Sequence, residues 1–307
     1  MKSSEFELIQ SLIREIPPAL REPAGLQDDT AILGRVLLTT DAMVEGVDFS
    51  RRTARPEEIG RKALAINLSD IAAMGGKPLY FTVALGLPAG IRPAWLRRVY
   101  RGMMLWAKRY QVICAGGDIS KASQFFINVT VMGRTAGNKA VLRSGARPGN
   151  WIGVTGRLGG SLGGRHLTFK PRVEEGAWLA RRGVTSMIDI SDGFLQDLEH
   201  ILERSAAGCA LETGAIPVST AARRRARGNT GRALAGALSD GEDFELIFTV
   251  PAVKKIALEK AWRRAFPGVL LSWVGRITPE KQKVRWLFQG RPAVPPRLAR
   301  KGYQHAL

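Results

Sequence analysis

The stretch that decides the fold is KALAINLSDIAAMG, at residues 62–75. It continues a helix whose start is marked by Pro56, because a proline followed by two acidic residues is typical of a helix N-terminus. Apolar residues dominate the run, and Gly75 and Gly76 end it. We therefore predict one long helix between the strands of a layered domain.

Short apolar, β-branched runs on both sides of this helix predict the strands of a sheet. They lie at 36–40, 79–85, 112–115 and 125–132, and another helix is predicted at 93–109. A first helix is predicted from Ser3 or Ser4 to Ile16, with its apolar stripe packed on the sheet. Strands that alternate with helices in this way predict an α/β or α+β domain over residues 1–138.

A connector rich in turn-forming residues, at 143–150, separates a second set of elements. Strands are predicted at 151–155, 187–190, 244–250, 269–274 and 284–288, with a glycine loop at 156–164 and a helix at 194–205. We therefore predict a second, α/β layered domain over residues 139–307. The arginine-rich segment at 220–235 has weak apolar periodicity and is predicted to be a mobile excursion.

The chain has a formal net charge of +19, yet its few aspartates fall in short sequence motifs, or words, that are flanked by turn-forming residues. Several of these words follow apolar runs, so we predict carboxylates that project from strand ends into a shared cleft. A cation between them would relieve their repulsion, and hard oxygen ligands favour Mg²⁺. Helix caps and turns are the alternative for any single aspartate. The words lie at 28–30, 39–41, 67–70, 116–118, 189–193 and 240–243.

Cysteine content and hydropathy indicate the cellular compartment in which the protein works. The only cysteines, Cys114 and Cys209, lie in apolar, strand-like runs, which predicts buried free thiols in a reducing compartment. The N-terminus carries acids where a signal peptide needs an apolar run. The longest uncharged stretch, 78–91, is shorter than the roughly 18 residues of a membrane helix. We predict a cytoplasmic protein with no membrane partner.

The positive charge comes mainly from arginine runs at 92–101, 223–227 and 297–301. Such a field attracts nucleic acids or anionic metabolites. The chain has no aromatic-interleaved RNA-binding word, zinc-finger spacing or basic zipper, so specific nucleic-acid binding is not favoured. A solvated basic surface is the preferred interpretation.

Phosphoryl transfer depends mainly on positioning and on neutralising phosphate oxygens with metal ions, so carboxylates that hold Mg²⁺ would be its machinery. The chain has no Walker sequence and no kinase glycine loop before a lysine-bearing strand. Gly116-Gly117-Asp118 could bring backbone close to a phosphate while Asp118 reaches its metal. His166 and His200 are predicted to have surface or packing roles, and no Gly-x-Ser-x-Gly elbow is present.

Taken together, the words resemble the thiamine-monophosphate kinase family, a branch of the superfamily of aminoimidazole ribonucleotide synthetase and selenophosphate synthetase. The agreement is collinear from Phe6 to Tyr303. The matching words are Asp28-Asp29-x-Ala31, Thr39-Thr40-Asp41-x-x-Val44-x-Gly46, residues 62–75, Gly116-Gly117-Asp118, Arg143-Ser144-Gly145-Ala146-x-Pro148-Gly149, Asp189-Ile190-Ser191-Asp192-Gly193 and Gly241-Glu242-Asp243-x-Glu245-Leu246.

The resemblance implies an α+β fold in which the N-terminal sheets of two subunits pair into a barrel, giving a homodimer with clefts along its interface. It implies transfer of the ATP γ-phosphate to thiamine monophosphate, with several Mg²⁺ bridging the substrates. The implied metal ligands are Asp29, Thr39, Thr40, Asp41, Asp70, Asp118, Asp189 and Asp192, of which Asp70, Asp118 and Asp192 are the catalytic candidates. The implied ATP contacts are Gly117, Asp118, Arg143 and Ser191, and Glu242 is implied to face the acceptor.

Four positions depart from the family pattern: Gln27 and Asp240 each replace a glycine, Asp48 replaces a histidine and Arg300 replaces an aromatic residue. Asp48 and Arg300 are therefore further substrate-binding candidates. Asp48 would attract a cationic thiazolium ring, and Arg300 would attract a phosphate. Because of these replacements, the alternative that the protein is a divergent family member, which uses ATP to phosphorylate or activate a different small molecule, stays open.

Overall fold

Two sheets form the frame of the protein, whose computed structural model describes residues 5–17, 28–298 and 302–303. The first sheet has the order β1-β2-β5-β3-β4, and its neighbours are antiparallel except for the parallel pair β3–β4. Its strands are β1 Ala31–Leu33, β2 Val36–Val44, β3 Gly76–Leu87, β4 Ile113–Lys121 and β5 Phe126–Thr135.

Two helices, α2 Pro56–Ala73 and α3 Pro93–Tyr110, pack in the apolar core of this part of the chain, as the sequence predicts. Apolar side chains are buried along almost the whole length of α2. The alternation predicted for β5 is also present: Ile127, Val129 and Val131 are fully buried in this core, while the residues between them are not. The helices therefore cover one face of the first sheet.

Helix α1, Glu5–Glu15, forms at the predicted place but does not bury its apolar stripe. Leu8, Ile9 and Leu12 are exposed, so the prediction that the stripe packs on the sheet is wrong. Amphipathic spacing identifies a helix, but it does not say whether the rest of the fold covers the apolar side. The predicted caps, Ser3 and Ser4, lie outside the described residues.

The other face of the first sheet, and its β4 edge, have little cover from the residues that the structure describes. Leu38 and Tyr80 are exposed on that face, and every residue of β4 is exposed, including Ile113 and Ile119. Cys114 is therefore exposed, and the prediction that it is buried is wrong. The apolar run around Cys114 forms an edge strand rather than a buried one.

The second sheet has the order β12-β11-β8-β10-β6-β9-β7, with the parallel pair β11–β8 among antiparallel neighbours. Its strands are β6 Trp151–Thr155, β7 Ser186–Asp189, β8 Gly208–Glu212, β9 Leu246–Val250, β10 Leu271–Thr278, β11 Val284–Phe288 and β12 Arg291–Pro292. Its helices are α4 Val173–Arg181, α5 Phe194–Arg204, α6 Thr220–Arg225, α7 Thr230–Ser239 and α8 Lys255–Ala265. The domain boundary near residue 138 stays a prediction.

Most of the arginine-rich segment at 220–235 is helical, in α6 and α7, and it is not the predicted excursion. Ser219 caps α6 by accepting a 2.9 Å hydrogen bond from the Ala222 N–H, and Asn229 caps α7 in the same way. Small residues such as Ala233 and Ala237 form the buried side. Alanine weakens the apolar periodicity while favouring the helix, which explains the error. No helix in the described part of the chain is long and apolar enough to cross a membrane.

Candidate active site

Helix α2 carries Asp70 to the surface of the first sheet. Thr39, in β2, donates a 2.6 Å hydrogen bond from its Oγ1 to Asp70 Oδ2. Thr39 lies on the same face of β2 as the buried Leu37 and Met43, so packing of α2 on the sheet brings the two residues together. Thr39 and Asp41 lie within β2, whereas the sequence predicts them at a strand end.

Three carboxylates from distant parts of the chain meet here. Asp29 precedes β1, Asp70 lies on α2 and Asp189 ends β7, and each offers one oxygen within 4.8 Å of the others. Ser69 donates a 2.5 Å hydrogen bond to Asp189 Oδ2 and thereby ties α2 to the second sheet. We call Asp29, Asp70 and Asp189 the acidic cluster.

Burial and mutual repulsion disfavour the charged forms of these carboxyl groups. Burial, with added repulsion from Asp29, raises the pKa of Asp189 to about 8. Burial and the charge of Asp41 raise the pKa of Asp70 well above its ordinary value. Burial raises the pKa of Asp41 to about 6, and interaction with the neighbouring Asp70 opposes that rise. A cation placed between these carboxyl groups would favour their charged forms and would therefore lower their pKa values.

Arg143 lies beside the acidic cluster. Its Nη2 is 3.0 Å from Asp29 Oδ1, and its backbone N–H donates a 2.6 Å hydrogen bond to Asp28 Oδ1. Burial disfavours the charge of Arg143, but the negative charge of Asp29 outweighs it and raises the pKa of Arg143. Arg143 therefore holds Asp29 in place while part of its side chain stays exposed. Its predicted contact with ATP stays a prediction.

The acidic cluster fits a Mg²⁺ ion. All of its donors are carboxylate oxygens, which hard divalent cations prefer. Burial raises the pKa of both Asp70 and Asp189, and neighbouring carboxylates add to the rise, so a cation would favour their ionised forms. Asp29, Asp70 and Asp189 would hold the ion, and Asp41 is close enough to Asp70 to assist.

Thr40 points away from the acidic cluster. Its side chain alternates with that of Thr39 along β2, and its Oγ1 lies 2.9 Å from Thr130 Oγ1 on the face of the sheet that the helices leave uncovered. The structure therefore does not bring the Thr40 hydroxyl to the other predicted metal ligands. A role for its backbone stays a prediction.

Asp118 is also remote from the cluster within one chain. It pairs with Ala84 on the edge strand β4, whereas Asp41 lies on β2, and β5 and β3 run between them. Three strand spacings amount to roughly 14 Å, too far for the two carboxylates to share one ion. The role of Asp118 as a catalytic and metal-binding residue stays a prediction. To share an ion, Asp118 would need ligands from outside this cluster.

The glycine word before Asp118 lies inside β4, whereas the sequence predicts a strand that ends at Ala115. Gly117 is required by strand packing, because a Cβ there would stand 2.1 Å from the Val83 backbone oxygen. The structure accounts for this glycine without a ligand. Its predicted contact with ATP stays a prediction.

Ser191 and Asp192 form the loop between β7 and α5. Gln196 Nε2 donates a 3.0 Å hydrogen bond to Asp192 Oδ2 and another of 3.0 Å to the Tyr303 backbone oxygen. This loop therefore holds the C-terminal Gly302–Tyr303 segment, and a Cβ at Gly302 would lie 2.4 Å from Gln196 Oε1. Asp192 lies outside the acidic cluster among the described residues, and its predicted roles and that of Ser191 stay predictions.

A cavity of about 330 Å³ lies between the first sheet's loop at 46–50 and the loop at 240–242. Asp48, Glu242, His166, Leu162 and Tyr303 are among its lining residues. The two substrate-binding candidates Asp48 and Glu242 therefore share one cavity. We call it the acceptor cavity. Arg300, the third candidate, lies outside the described residues.

Asp48 belongs to the wall and also shapes it. Its Oδ2 accepts a 2.7 Å hydrogen bond from the Val44 N–H, which closes the loop that follows β2. Its charge is one of the causes that raise the pKa of Asp41. The acceptor cavity and the carboxyl groups around Asp70 are thus close enough to interact electrostatically.

Two side chains, those of Lys62 and His166, anchor Glu242 in the acceptor cavity. Lys62 Nζ lies 2.5 Å from Glu242 Oε1, and His166 Nδ1 lies 2.8 Å from Glu242 Oε2. Burial acts to raise the pKa of Glu242, but the hydrogen bonds from His166 and Lys62 outweigh it and lower the pKa. Glu242 also has a left-handed backbone at φ 54°, a strained conformation of the kind found at functional sites.

Sequence reasoning missed Lys62, Ser69 and His166 as site residues. Lys62 and Ser69 lie inside the word that decides the fold, and their polar side chains in an apolar helix were the available signal. His166 was predicted to have a surface or packing role, but it lines the acceptor cavity and contacts Glu242. Nothing in its local sequence indicates a partner far along the chain.

Asp243 and Glu245, next to Glu242, serve the fold. Asp243 Oδ2 accepts a 2.7 Å hydrogen bond from the Gly159 N–H, which fixes the glycine loop after β6. Glu245 is bound by Arg172 through two 2.6 Å hydrogen bonds. The acidic word at 240–245 therefore divides between the acceptor cavity and structural support.

The acidic cluster predicts an unusual stability profile for the metal-free protein. Between about pH 4 and the raised pKa of Asp189, about 8, the folded state binds more protons than the unfolded state. Stability of the metal-free protein should therefore fall as pH rises through this window. Melting curves in EDTA from pH 5 to pH 9 measure it, and Asp189→Asn should flatten the profile.

The stabilisation that Mg²⁺ gives the protein should increase with pH, because protons compete with the ion for the same oxygens. We expect Mg²⁺ to raise the melting temperature more at pH 8.5 than at pH 6. A shift that is equal at both pH values, or unchanged by Asp189→Asn, would contradict an ion held by this cluster.

Comparison with known proteins identifies the family to which the chain belongs. Residues 27–135, which contain the first sheet and most of the predicted metal ligands, match the family described as AIR synthase related protein, N-terminal domain. Over nearly the full chain, the sequence is 39% identical to a thiamine-monophosphate kinase of Rhodopirellula baltica, covering 90% of this chain and 89% of the relative. The chain belongs to the thiamine-monophosphate kinase family, which confirms the resemblance predicted from its sequence.

Two further matches agree. A thiamine-monophosphate kinase of Salmonella typhimurium is 33% identical over 99% of both chains. The solved structure of AaThiL complexed with AMPPCP and TMP superposes with a TM-score of 0.81 at 28% identity, covering 98% of this chain and 97% of its own. The two-sheet architecture is therefore shared over the whole length.

Proposed function

We propose that this protein transfers the γ-phosphate of ATP to the phosphate of thiamine monophosphate, giving thiamine diphosphate and ADP. The observation that carries the proposal is the acidic cluster, with three carboxylates within 4.8 Å, in a chain that aligns end to end with thiamine-monophosphate kinases. Donor and acceptor are both anionic, and such a reaction needs concentrated positive charge between them. A cytoplasmic location stays a prediction.

Asp29, Asp70 and Asp189 would hold Mg²⁺, which when bound neutralises phosphate oxygens in the reaction. The protein's own groups then position the reactants. Ser69 and Thr39 orient the carboxylates of Asp189 and Asp70 by direct hydrogen bonds. Catalysis by positioning and charge alone is sufficient for this class of reaction, so no covalent intermediate on the protein is required.

The acceptor cavity offers charge that suits the organic part of thiamine monophosphate. Asp48 supplies negative charge, which attracts a cationic thiazolium ring, whereas the charge of Glu242 is paired with that of Lys62. Tyr303 adds an aromatic side chain in the same wall. The replacement of the family histidine by Asp48 is compatible with this acceptor, because a carboxylate favours the ring cation.

We infer that the active form is a homodimer whose site is completed by the partner. The β4 edge is exposed over its whole length and carries Ile113 and Ile119, and one face of the first sheet exposes Leu38 and Tyr80. Open apolar edges of this kind pair with another chain. Pairing of two such sheets into a barrel would cover both features and would bring Asp118 to a second chain's acidic cluster.

The direct test of function is product analysis after incubation with ATP, Mg²⁺ and thiamine monophosphate. We expect thiamine diphosphate and an equal amount of ADP, and no product when EDTA replaces Mg²⁺. Thiamine and pyridoxal phosphate serve as acceptor controls. Phosphorylation of another phosphomonoester in preference to thiamine monophosphate would favour a divergent acceptor, which no contact in the described structure specifically supports.

A further inference from the structure

Another cavity, of about 580 Å³, lies where the start of β3 and the end of β5 meet α3, α4 and Phe266. Among the described residues, five cationic side chains and one carboxylate, that of Glu174, line it. Aromatic side chains of Tyr110, Trp178 and Phe266 belong to the same lining. We call it the basic cavity. Its cations are Arg35, Lys77, Arg109, Arg134 and Arg181.

The carboxylate in this lining does not balance the cations. Glu174 Oε1 lies 3.6 Å from Arg109 Nη2, and Glu174 Oε2 lies 3.1 Å from Lys170 Nζ, so its charge is already shared. Within the part of the chain that the structure describes, the side chains of Lys77, Arg134 and Arg181 form no hydrogen bond or ion pair. The basic cavity therefore keeps unbalanced positive charge.

Like charges also meet at the sheet end that borders the basic cavity. Lys77 and Arg134 lie directly opposite each other on β3 and β5. Arg35 precedes Val36, the partner of Arg134 on β2, and its Nη2 donates a 3.2 Å hydrogen bond to the Gly137 oxygen. Like charges at directly opposite positions destabilise a sheet. An anion held between these cations would remove the repulsion, so the arrangement favours a bound anion.

The lining favours a small organic molecule with more than one phosphate group. Two linked phosphates can contact more of the cations than one phosphate can, and guanidinium groups bind phosphate oxygens through paired hydrogen bonds. The apolar side chains of Ala177 and Trp178, in the same lining, suit an organic group. A concave cavity of this volume is typical of sites for small molecules.

The basic cavity is separate from the catalytic groups. Arg134 pairs with Val36, whereas Asp41 pairs with Val129, five residues away along β5. Five residues of a strand span roughly 17 Å. The basic cavity and the acceptor cavity also share no lining residue among those described. A molecule in the basic cavity would therefore leave the acidic cluster and the acceptor cavity free.

We propose that the basic cavity is a further anion-binding site, which takes a small molecule that carries a diphosphate or triphosphate group and needs no metal ion to do so. The site is independent of the proposed function, because none of its residues belongs to the acidic cluster or the acceptor cavity. Its ligand would contact both the first sheet and α4, so binding should stabilise the folded protein.

Isothermal titration calorimetry of the full chain with inorganic pyrophosphate in EDTA tests the proposal, because without a divalent ion the acidic cluster repels the probe. We expect pyrophosphate to bind about tenfold more tightly than orthophosphate. Lys77→Gln and Arg134→Gln should each weaken pyrophosphate binding about fivefold or more. Arg224→Gln, at an exposed position on α6, removes the same charge and is the matched control, expected to bind normally.

Melting curves with and without pyrophosphate give an independent readout. Lys77→Gln removes the like charge opposite Arg134, so without ligand it should melt at a slightly higher temperature than the unmodified protein. Pyrophosphate should nevertheless raise its melting temperature less. Equal weakening of binding by Arg224→Gln would show a diffuse basic surface and would overturn the site. Binding that neither Lys77→Gln nor Arg134→Gln weakens would overturn it as well, and both results would leave the proposed function untouched.

Discussion

Asp70→Asn should abolish turnover, with kcat lowered about a thousandfold or more, because removing one ligand charge leaves the repulsion between two phosphates uncompensated. The same change should stabilise the metal-free protein at pH 8. Burial and the charge of Asp41 raise the pKa of Asp70, so its ionised form is unfavourable without a cation. A fall in activity together with a rise in stability is a combination that a folding defect cannot produce.

Steady-state kinetics with saturating ATP and Mg²⁺, and melting curves in EDTA, measure the two effects. Glu203→Gln removes one charge from an exposed position on α5 and is the matched control, expected to change neither. Asp70→Asn with ordinary activity would remove Asp70 from the metal site. A variant that loses activity and also melts at a lower temperature would indicate a structural role instead.

Asp118→Asn should also be inactive by itself, but mixing it with Asp70→Asn should restore activity. Asp118 lies on the exposed edge strand, three strand spacings from Asp41, so we expect it to serve the acidic cluster of a partner subunit. In a mixed dimer, one site would then contain both substitutions and the other neither. Random mixing would give half of the dimers one intact site, and about a quarter of full activity.

Co-expression of the two variants with different affinity tags isolates the mixed dimers and measures this recovery. Mixing Asp70→Asn with Asp189→Asn is the control, because both residues belong to the cluster of one chain and each mixed dimer should stay inactive. Recovery in the control, or none with Asp118→Asn, would contradict a site shared between subunits. A monomeric protein with full activity would overturn the dimer proposal itself.

The sequence predicted the elements of the first sheet well, because their apolar periodicity is strong. Helix α2 begins at Pro56 as predicted, and the alternation of buried and exposed residues in β5 is as expected. The errors lie where periodicity gives no information about neighbours. The stripe of α1 is exposed, β4 is an open edge that exposes Cys114, and alanine-rich α6 and α7 were predicted to be an excursion.

The acidic words predicted the chemistry better than the placement of individual residues. Asp29, Asp70 and Asp189 meet, although more than 100 residues separate Asp70 from Asp189. Thr39 and Thr40 are adjacent in sequence, but successive side chains of a strand lie on opposite faces of the sheet, so only Thr39 faces Asp70. Lys62 and His166 were missed because their partner, Glu242, is brought to them only by packing of the two sheets.

Binding of Mn²⁺, followed by electron paramagnetic resonance in the presence of a non-hydrolysable ATP analogue, tests the central claim most directly. We expect the unmodified protein to bind the ion, Asp70→Asn and Asp189→Asn each to weaken binding by at least tenfold, and Glu203→Gln to bind normally. Equal binding by all four proteins would show that divalent ions are held elsewhere and would contradict the account.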